Sequence, residues 1–154
     1  MKIKRRVERA VRQALGAAVA GEVERFDAAV MSINLSREDF SNQALDLMIA
    51  IGSATLFSIH HGDRPDITQL RLLTEDFVDY EDWTRINAGT TLAYLTALAE
   101  QTPARPALPV QDAVFTAGAV GGWLLSAFIP DDVMWTDFLD GILDRLELSV
   151  SSPP

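Results

Sequence analysis

Residues 36–61 read SREDFSNQALDLMIAIGSATLFSIHH, and this stretch carries no charge after Asp46. Between Ala44 and Ile59, apolar residues fall on every face of a helical wheel. A helix that is apolar on all sides is normally enclosed by its own protein. The stretch therefore predicts a central helix with other helices packed around it.

Polar residues at both ends of the stretch supply start and stop signals for this helix. Ser36 is placed to accept a hydrogen bond from the amide of Asp39, as an N-cap residue does. Gly62 suits the left-handed conformation that follows the last turn of many helices. These signals predict a central helix over about residues 36–61, and Asp66 is placed to cap the helix that follows.

Most of the remaining chain also shows helical periodicity, with apolar residues three and four positions apart. Residues 1–33 predict a basic amphipathic helix, which Gly16 or Gly21 is expected to bend or break. Pro130 is expected to separate the last two helices. The further helices are predicted at about residues 67–80, 83–101, 110–129 and 132–148.

Length and composition favour one domain. A chain of 154 residues with 48% hydrophobic and 23% charged residues can bury a core without disulfides or a structural metal. Three prolines place residues 102–109 in a surface loop, and residues 151–154 are predicted to be the end of a disordered tail that begins near Ser149. The prediction is a single all-α domain over residues 1–150, a bundle of five to seven helices.

The net charge of −9 is unevenly distributed. Residues 1–25 carry seven basic and three acidic side chains, whereas the remainder carries six basic and nineteen acidic ones. An acidic body repels nucleic acid and anionic membranes and favours basic partners. We therefore expect no nucleic-acid partner.

Cysteine is absent, which excludes disulfides, thiolate metal sites and cysteine nucleophiles. We predict no cofactor and a cytoplasmic location. The preference for arginine over lysine and the abundant alanine suggest a bacterial source with a GC-rich genome.

Residues 113–129 form an uncharged run that contains Gly118 and Gly122 at the spacing seen in packed transmembrane helices. The run is at the lower limit of a membrane span and has acidic rather than basic flanks. We therefore expect a buried helix here and no membrane span.

Two polar clusters are candidates for metal chemistry. His61 and Asp63 lie at the end of the central helix, where a histidine also complements the helix dipole. Glu75, Asp79 and Asp82 are spaced to share one helical face that could hold magnesium and support hydrolysis. No second acidic motif pairs with them, which favours a solvated acidic face, and we predict no metal site.

A ligand pocket is the second hypothesis. Aromatic side chains on the central helix, the Gly-rich helix and their neighbours could line a pocket, although aromatic residues at helical spacing are usually core. The candidate lining residues are Phe57, Trp83, Tyr94, Trp123 and Phe128.

The leading hypothesis is a non-enzymatic protein that acts through protein–protein contacts and forms a homodimer. Its basic N-terminal helix opposes its acidic body in charge, and no catalytic constellation stands out in the sequence. A basic protein partner is the related alternative. The candidate contact residues are Arg5, Arg6, Arg9, Arg12, Glu75, Asp79 and Asp82.

Overall fold

The computed structural model describes residues 2–101 and 112–151. The described parts of the chain are all-α and form one compact bundle, which confirms the predicted fold class. The predicted loop at 102–109 lies outside the described residues. The helices are α1 (Arg5–Ala20), α2 (Val23–Asn34), α3 (Glu38–Ile59), α4 (Ile67–Tyr80), α5 (Ala88–Glu100), α6 (Ala113–Ala127) and α7 (Trp135–Ser151).

The N-terminal amphipathic segment forms two helices, because the chain breaks at Gly21. This glycine has a φ of 68°, and its amide donates hydrogen bonds to the carbonyl oxygens at the end of α1. A left-handed glycine after the last turn is a common helix stop. The expected break is therefore located after α1, and Gly16 lies inside that helix.

The central helix α3 starts two residues later than the sequence predicts. Arg37 is its N-cap residue, and no side chain caps the helix. The prediction that Ser36 caps α3 is wrong, because the Ser36 hydroxyl donates instead to the carbonyl of Ser32, at 2.7 Å, in α2. At the other end, Gly62 is left-handed as predicted, with a φ of 85°, but α3 ends at Ile59, two residues earlier than predicted.

Helix α4 begins as its sequence predicts. The Gln69 amide donates to the Asp66 carboxylate at 2.8 Å, and the Asp66 amide donates to the Gln69 side chain at the same distance, which completes a capping box. The next predicted helix is shorter than expected. Residues 82–84 form a 3-10 turn, and α5 starts only after Asn87, which caps it.

Helices α3 and α6 form the centre of the bundle. Helix α3 packs against α1, α2, α5, α6 and α7, and α6 packs against α1, α2, α3 and α7. In α6 every residue from Ala113 to Leu125 is buried except Phe115, which is half-buried. The predicted buried helix is thus α6, from residue 113 to 127.

Glycines on α6 let α1 approach closely. A Cβ atom built on Gly122 would lie 2.6 Å from the Cβ atom of Ala18 and 3.4 Å from the carbonyl oxygen of Leu15. Real Cβ atoms essentially never come so near to another carbon. The backbones of α1 and α6 can pack at this distance only because residue 122 has no side chain.

Helix α7 packs against α3 and α6, and two of its side chains also contact α1. Arg12 on α1 donates to the carboxylate of Asp140 on α7, and the ring of Trp135 covers Gly16. The helix is described as far as Ser151, which is inside the segment predicted to be the tail. Residues 152–154 lie outside the described part.

Candidate functional site

A cavity of about 810 Å³ lies where the start of α1 meets the start of α3. Four cationic side chains line it: Lys4, Arg5, Arg6 and Arg37. The remaining lining residues are Val7, Leu35, Ser36, Asp39, Phe40 and Gln43. We call this cavity the N-terminal cleft.

The charges that line the cleft are unbalanced. Asp39 supplies the one carboxylate of the lining, and its oxygen lies 4.0 Å from Nε of Arg37. Their side chains are 71% and 92% exposed, so water screens this pair strongly. Lys4, Arg5 and Arg6 form no ion pair with any described residue.

Two helix N-termini add to the positive potential of the cleft. Lys4 is the N-cap residue of α1 and Arg37 that of α3, and neither helix has a side-chain cap. The first amides of a helix have no partner within the helix, and they carry a partial positive charge. Tertiary packing therefore joins two positive helix ends and four cations at one place.

The α1 arginine surface, formed by Arg5 and Arg9, lies on the outer face of the same helix. Both side chains are exposed, and among the described residues neither has an ion-pair partner. Arg12 lies one turn further along and is engaged. Burial lowers the pKa of its guanidinium, but hydrogen bonds to Asp140 and Glu8 raise it more, so the net pKa lies above its usual value.

An acidic face with two apolar side chains occupies the outer side of α4. The helical spacing places its five members on one continuous face, and all five are exposed. Leu72 is 57% exposed and Tyr80 77% exposed. The members of this α4 acidic face are Leu72, Glu75, Asp76, Asp79 and Tyr80.

The carboxylates of the α4 acidic face make no ion pair within the described chain. Asp82, which the sequence grouped with Glu75 and Asp79, lies beyond the end of α4 in the 3-10 turn. The three predicted acidic residues are therefore exposed, but helix α4 carries only the first two.

The five aromatic residues predicted to line one pocket are distributed over separate places. Trp83 packs edge-on against Phe26 and Phe115, with ring centroids 5.5 and 6.3 Å away. Trp123 packs against Phe77 and Phe128 in a second aromatic cluster, at 5.4 and 5.2 Å.

Phe57 lies apart from both clusters. It lines an apolar groove between α3, α5 and α7, together with Ile49, Leu98 and Leu146. The cavities found among the described residues do not bring the five predicted lining residues together.

Tyr94, the remaining predicted pocket residue, is wholly buried on α5. Its hydroxyl has no hydrogen-bond partner among the described residues, and a Cβ atom built on Gly52 of α3 would lie 3.5 Å from it. Burial raises the pKa of this hydroxyl above its usual value of 10.0. Tyr94 is therefore a core residue whose hydroxyl oxygen lies close to the backbone of α3.

The histidines at the end of α3 have separate surroundings. Nδ1 of His60 lies 2.8 Å from the carbonyl oxygen of Leu56, which can only accept, so this nitrogen donates. His61 is exposed with a φ of 57°, and Asp63 is exposed. Within the described ranges, no group of three or more His, Asp or Glu residues is arranged to hold a metal ion.

Helix α3 is also long and apolar enough to cross a membrane, and it is the one described helix of which this is true. Of its most apolar 18-residue window, 44% is buried in the bundle. The core helix of a soluble protein has the same length and composition. The apolar run identified in the sequence, now α6, is shorter at 15 residues.

Comparison with protein-family models, with curated proteins and with solved structures gives no match. Sequence reasoning identified Arg5, Arg6 and Arg9 but missed Lys4 and Arg37 in the cleft. Lys4 had a signal in its position beside two arginines, whereas Arg37 reaches the cleft only through the packing of α3 on α1.

Proposed function

We propose that this protein acts without catalysis, through protein–protein contacts, as a homodimer. In the dimer, the α1 arginine surface of one copy meets the α4 acidic face of the other. The observation that carries the proposal is that one chain exposes two unpaired charged surfaces of opposite sign. Complementary surfaces of this kind steer association and fix the orientation of the partners.

The apolar residues of the α4 acidic face support a docking role. Tyrosine is enriched among the residues that dominate binding energy, and Tyr80 extends 77% of its surface into solvent. A guanidinium can stack on an aromatic ring while it pairs with a neighbouring carboxylate. Arg9 of a second copy would find both partners on this face, at Tyr80 and Asp79.

The apolar side of α1 is not the proposed interface, because it is already covered within its own chain. Val7, Val11 and Leu15 are buried, and α1 packs against α2, α3 and α6. The N-terminal helix thus offers its charged outer face to a partner, and in a two-fold dimer the same contact forms twice.

Charge reversal tests the pairing directly. Asp79→Arg or Arg9→Asp alone places like charges opposite each other, and each should weaken the dimer at least about tenfold, which is about 1.4 kcal/mol. The double variant restores opposite charges and should recover the dimer to within about threefold of the wild type. Sedimentation equilibrium gives the dissociation constants.

The matched control is Asp27→Arg, which reverses an exposed acidic residue on α2 that has no described ion-pair partner. It should leave the dissociation constant within about threefold of the wild type. A wild-type monomer, or an equal effect of the control, would contradict the proposal. Masses beyond the dimer would also contradict it, since a contact made once per pair builds open chains rather than a closed dimer.

A further inference from the structure

The N-terminal cleft has the size and the chemistry of a small-molecule site. Ligand pockets typically have volumes of about 300–1,000 Å³, and this cleft, which is open to solvent, has a volume of about 810 Å³. It lies apart from the α4 acidic face and shares only Arg5 with the α1 arginine surface. Its ligand can therefore be inferred without reference to the dimer.

The charge of the lining selects an anion. Four cations face one carboxylate, and that carboxylate is itself close to Arg37. The chain as a whole is acidic, with a net charge of −9. Charges are screened over about 8 Å at physiological ionic strength, so a ligand within the cleft responds mainly to the lining cations.

The number and chemistry of the donors suit a phosphate group, because four cations can balance more than one negative charge. Arg5, Arg6 and Arg37 each present a planar fork of N–H donors, which matches phosphate oxygens two at a time. The uncapped starts of α1 and α3 border the same space, and helix starts bind phosphate through their free amides.

The lining of the cleft also contains three apolar side chains. Val7 is buried and Phe40 is half-buried. Leu35, the residue that follows α2, is 80% exposed. An inorganic ion has no apolar surface, so it gains nothing from contact with these side chains. A ligand with an apolar group beside its phosphate would use both parts of the cleft.

We propose that the N-terminal cleft binds a small, soluble phosphate-bearing molecule with an apolar moiety, held by Lys4, Arg6 and Arg37 and covered on one side by Leu35 and Phe40. Binding requires no covalent step. The site is distinct from the proposed dimer contact at Arg9, so either proposal can fail while the other stands.

Isothermal titration of the full chain with phenyl phosphate and with inorganic phosphate tests both halves of the proposal. The two probes carry the same phosphate chemistry, and only the first has an apolar ring. We expect saturable binding of one phenyl phosphate per chain, at least about fivefold tighter than inorganic phosphate. Absence of saturable binding of phenyl phosphate, or equal affinity of the two probes, would overturn the proposal.

Variants locate the binding. Arg6→Gln and Arg37→Gln remove exposed cations of the cleft, and each should weaken phenyl phosphate binding about tenfold. Arg64→Gln is the matched control, because Arg64 is exposed in the connection between α3 and α4 and lines none of the described cavities. An equal loss in the control would mean non-specific charge attraction and would overturn the site.

A lipid headgroup presents the same phosphate chemistry, so vesicles of phosphatidylglycerol form a second arm of the experiment. Binding to the vesicles without saturable binding of phenyl phosphate would overturn the soluble ligand and identify a membrane surface instead. The mass of the assembly is measured in parallel. Arg6→Gln should leave the dimer unchanged, which separates failure of the cleft from failure of the dimer.

Discussion

At the scale of single residues, Tyr94 combines full burial with a hydroxyl that has no hydrogen-bond partner in the described ranges, 2–101 and 112–151. A buried polar group without a hydrogen bond costs about 1–3 kcal/mol, because its lost hydration is not replaced. The side chain nevertheless fills space in the core, and its hydroxyl lies beside Gly52 of α3. The ring of Tyr94 therefore stabilises the core and its hydroxyl opposes that stabilisation.

Tyr94→Phe should raise the free energy of unfolding by about 1–2 kcal/mol at neutral pH, because it removes the hydroxyl and keeps the ring. The gain should grow as the pH rises above the usual tyrosine pKa of 10.0, since the native chain holds the Tyr94 proton that the unfolded chain releases. Native protein then binds more protons than unfolded protein, and wild-type stability falls by up to about 1.4 kcal/mol per pH unit relative to the variant.

Urea unfolding of both proteins at about pH 8 and about pH 11 measures this difference. Lysines and the exposed Tyr80 are common to both chains, so the comparison isolates residue 94. A variant less stable than the wild type at the lower pH would show that the hydroxyl has a partner after all.

Local signals at single residues were predictable from sequence where one local partner was available without competition. Asp66 and Gln69 cap each other across one turn, and the left-handed Gly62 follows its own helix. Ser36 was not predictable in this way. Its hydroxyl could accept from the amide of Asp39 in α3 or donate to the carbonyl of Ser32 in α2. It donates to Ser32, which lies in the last turn of α2, the helix that ends just before Ser36.

At the scale of the helices, the contact between α1 and α6 sets the tightest packing described. It depends on Gly122 of α6 and on Ala18, Leu15 and Val19 of α1. An alanine side chain at position 18 has no flexible end that could move aside, so any added atom must displace backbone.

Gly122→Ala should therefore lower the free energy of unfolding by about 1–3 kcal/mol, the usual cost of overpacking a core. The matched control is Gly141→Ala in α7, where an added Cβ meets nothing within 4 Å. That substitution should stabilise the protein by about 0.5–1 kcal/mol, because alanine favours a helix over glycine.

Urea or thermal unfolding of the two alanine variants gives the sign of each effect. Opposite signs are expected from the same chemical change. If Gly122→Ala proved neutral or stabilising, α1 and α6 would have to lie further apart than described.

Helix positions were largely predictable because the apolar period of three and four residues is strong throughout the chain. The period does not show which helices pack against each other. The pocket hypothesis placed Trp83 and Trp123 together, whereas they belong to two aromatic clusters. The start of α5 was also misplaced, because Arg85 adopts a left-handed conformation and Asn87 offers a cap.

At the scale of the whole molecule, charge is segregated between surfaces while the core is apolar. The cleft and the α1 arginine surface are basic, whereas α4 is acidic. Two of the four cations of the candidate cleft were predictable, because Arg5 and Arg6 are consecutive in sequence and belong to the basic N-terminal helix. The contribution of Arg37 was not, because it depends on how α3 packs on α1.

Salt should weaken the dimer much more than it changes the stability of the fold. Between about 0.05 and 0.5 M sodium chloride, screening shortens the reach of surface charges severalfold, and the dimer dissociation constant should rise at least about tenfold. The urea midpoint of a monomeric variant should change little by comparison, since apolar burial dominates the core. Sedimentation equilibrium across the salt series measures the first quantity, and a salt-independent dimer would point to an apolar interface.

The packing of α1 on α6 has a consequence for synthesis. Helix α1 presents the apolar side chains of Val7, Val11 and Leu15 as soon as it forms, but α6, which covers part of this stripe, begins only at residue 113. A ribosome adds about 5–20 residues per second, so the stripe stays incompletely covered for several seconds during translation. Each nascent chain therefore passes through a chaperone-accessible interval whose length is set by the distance along the sequence between these two helices.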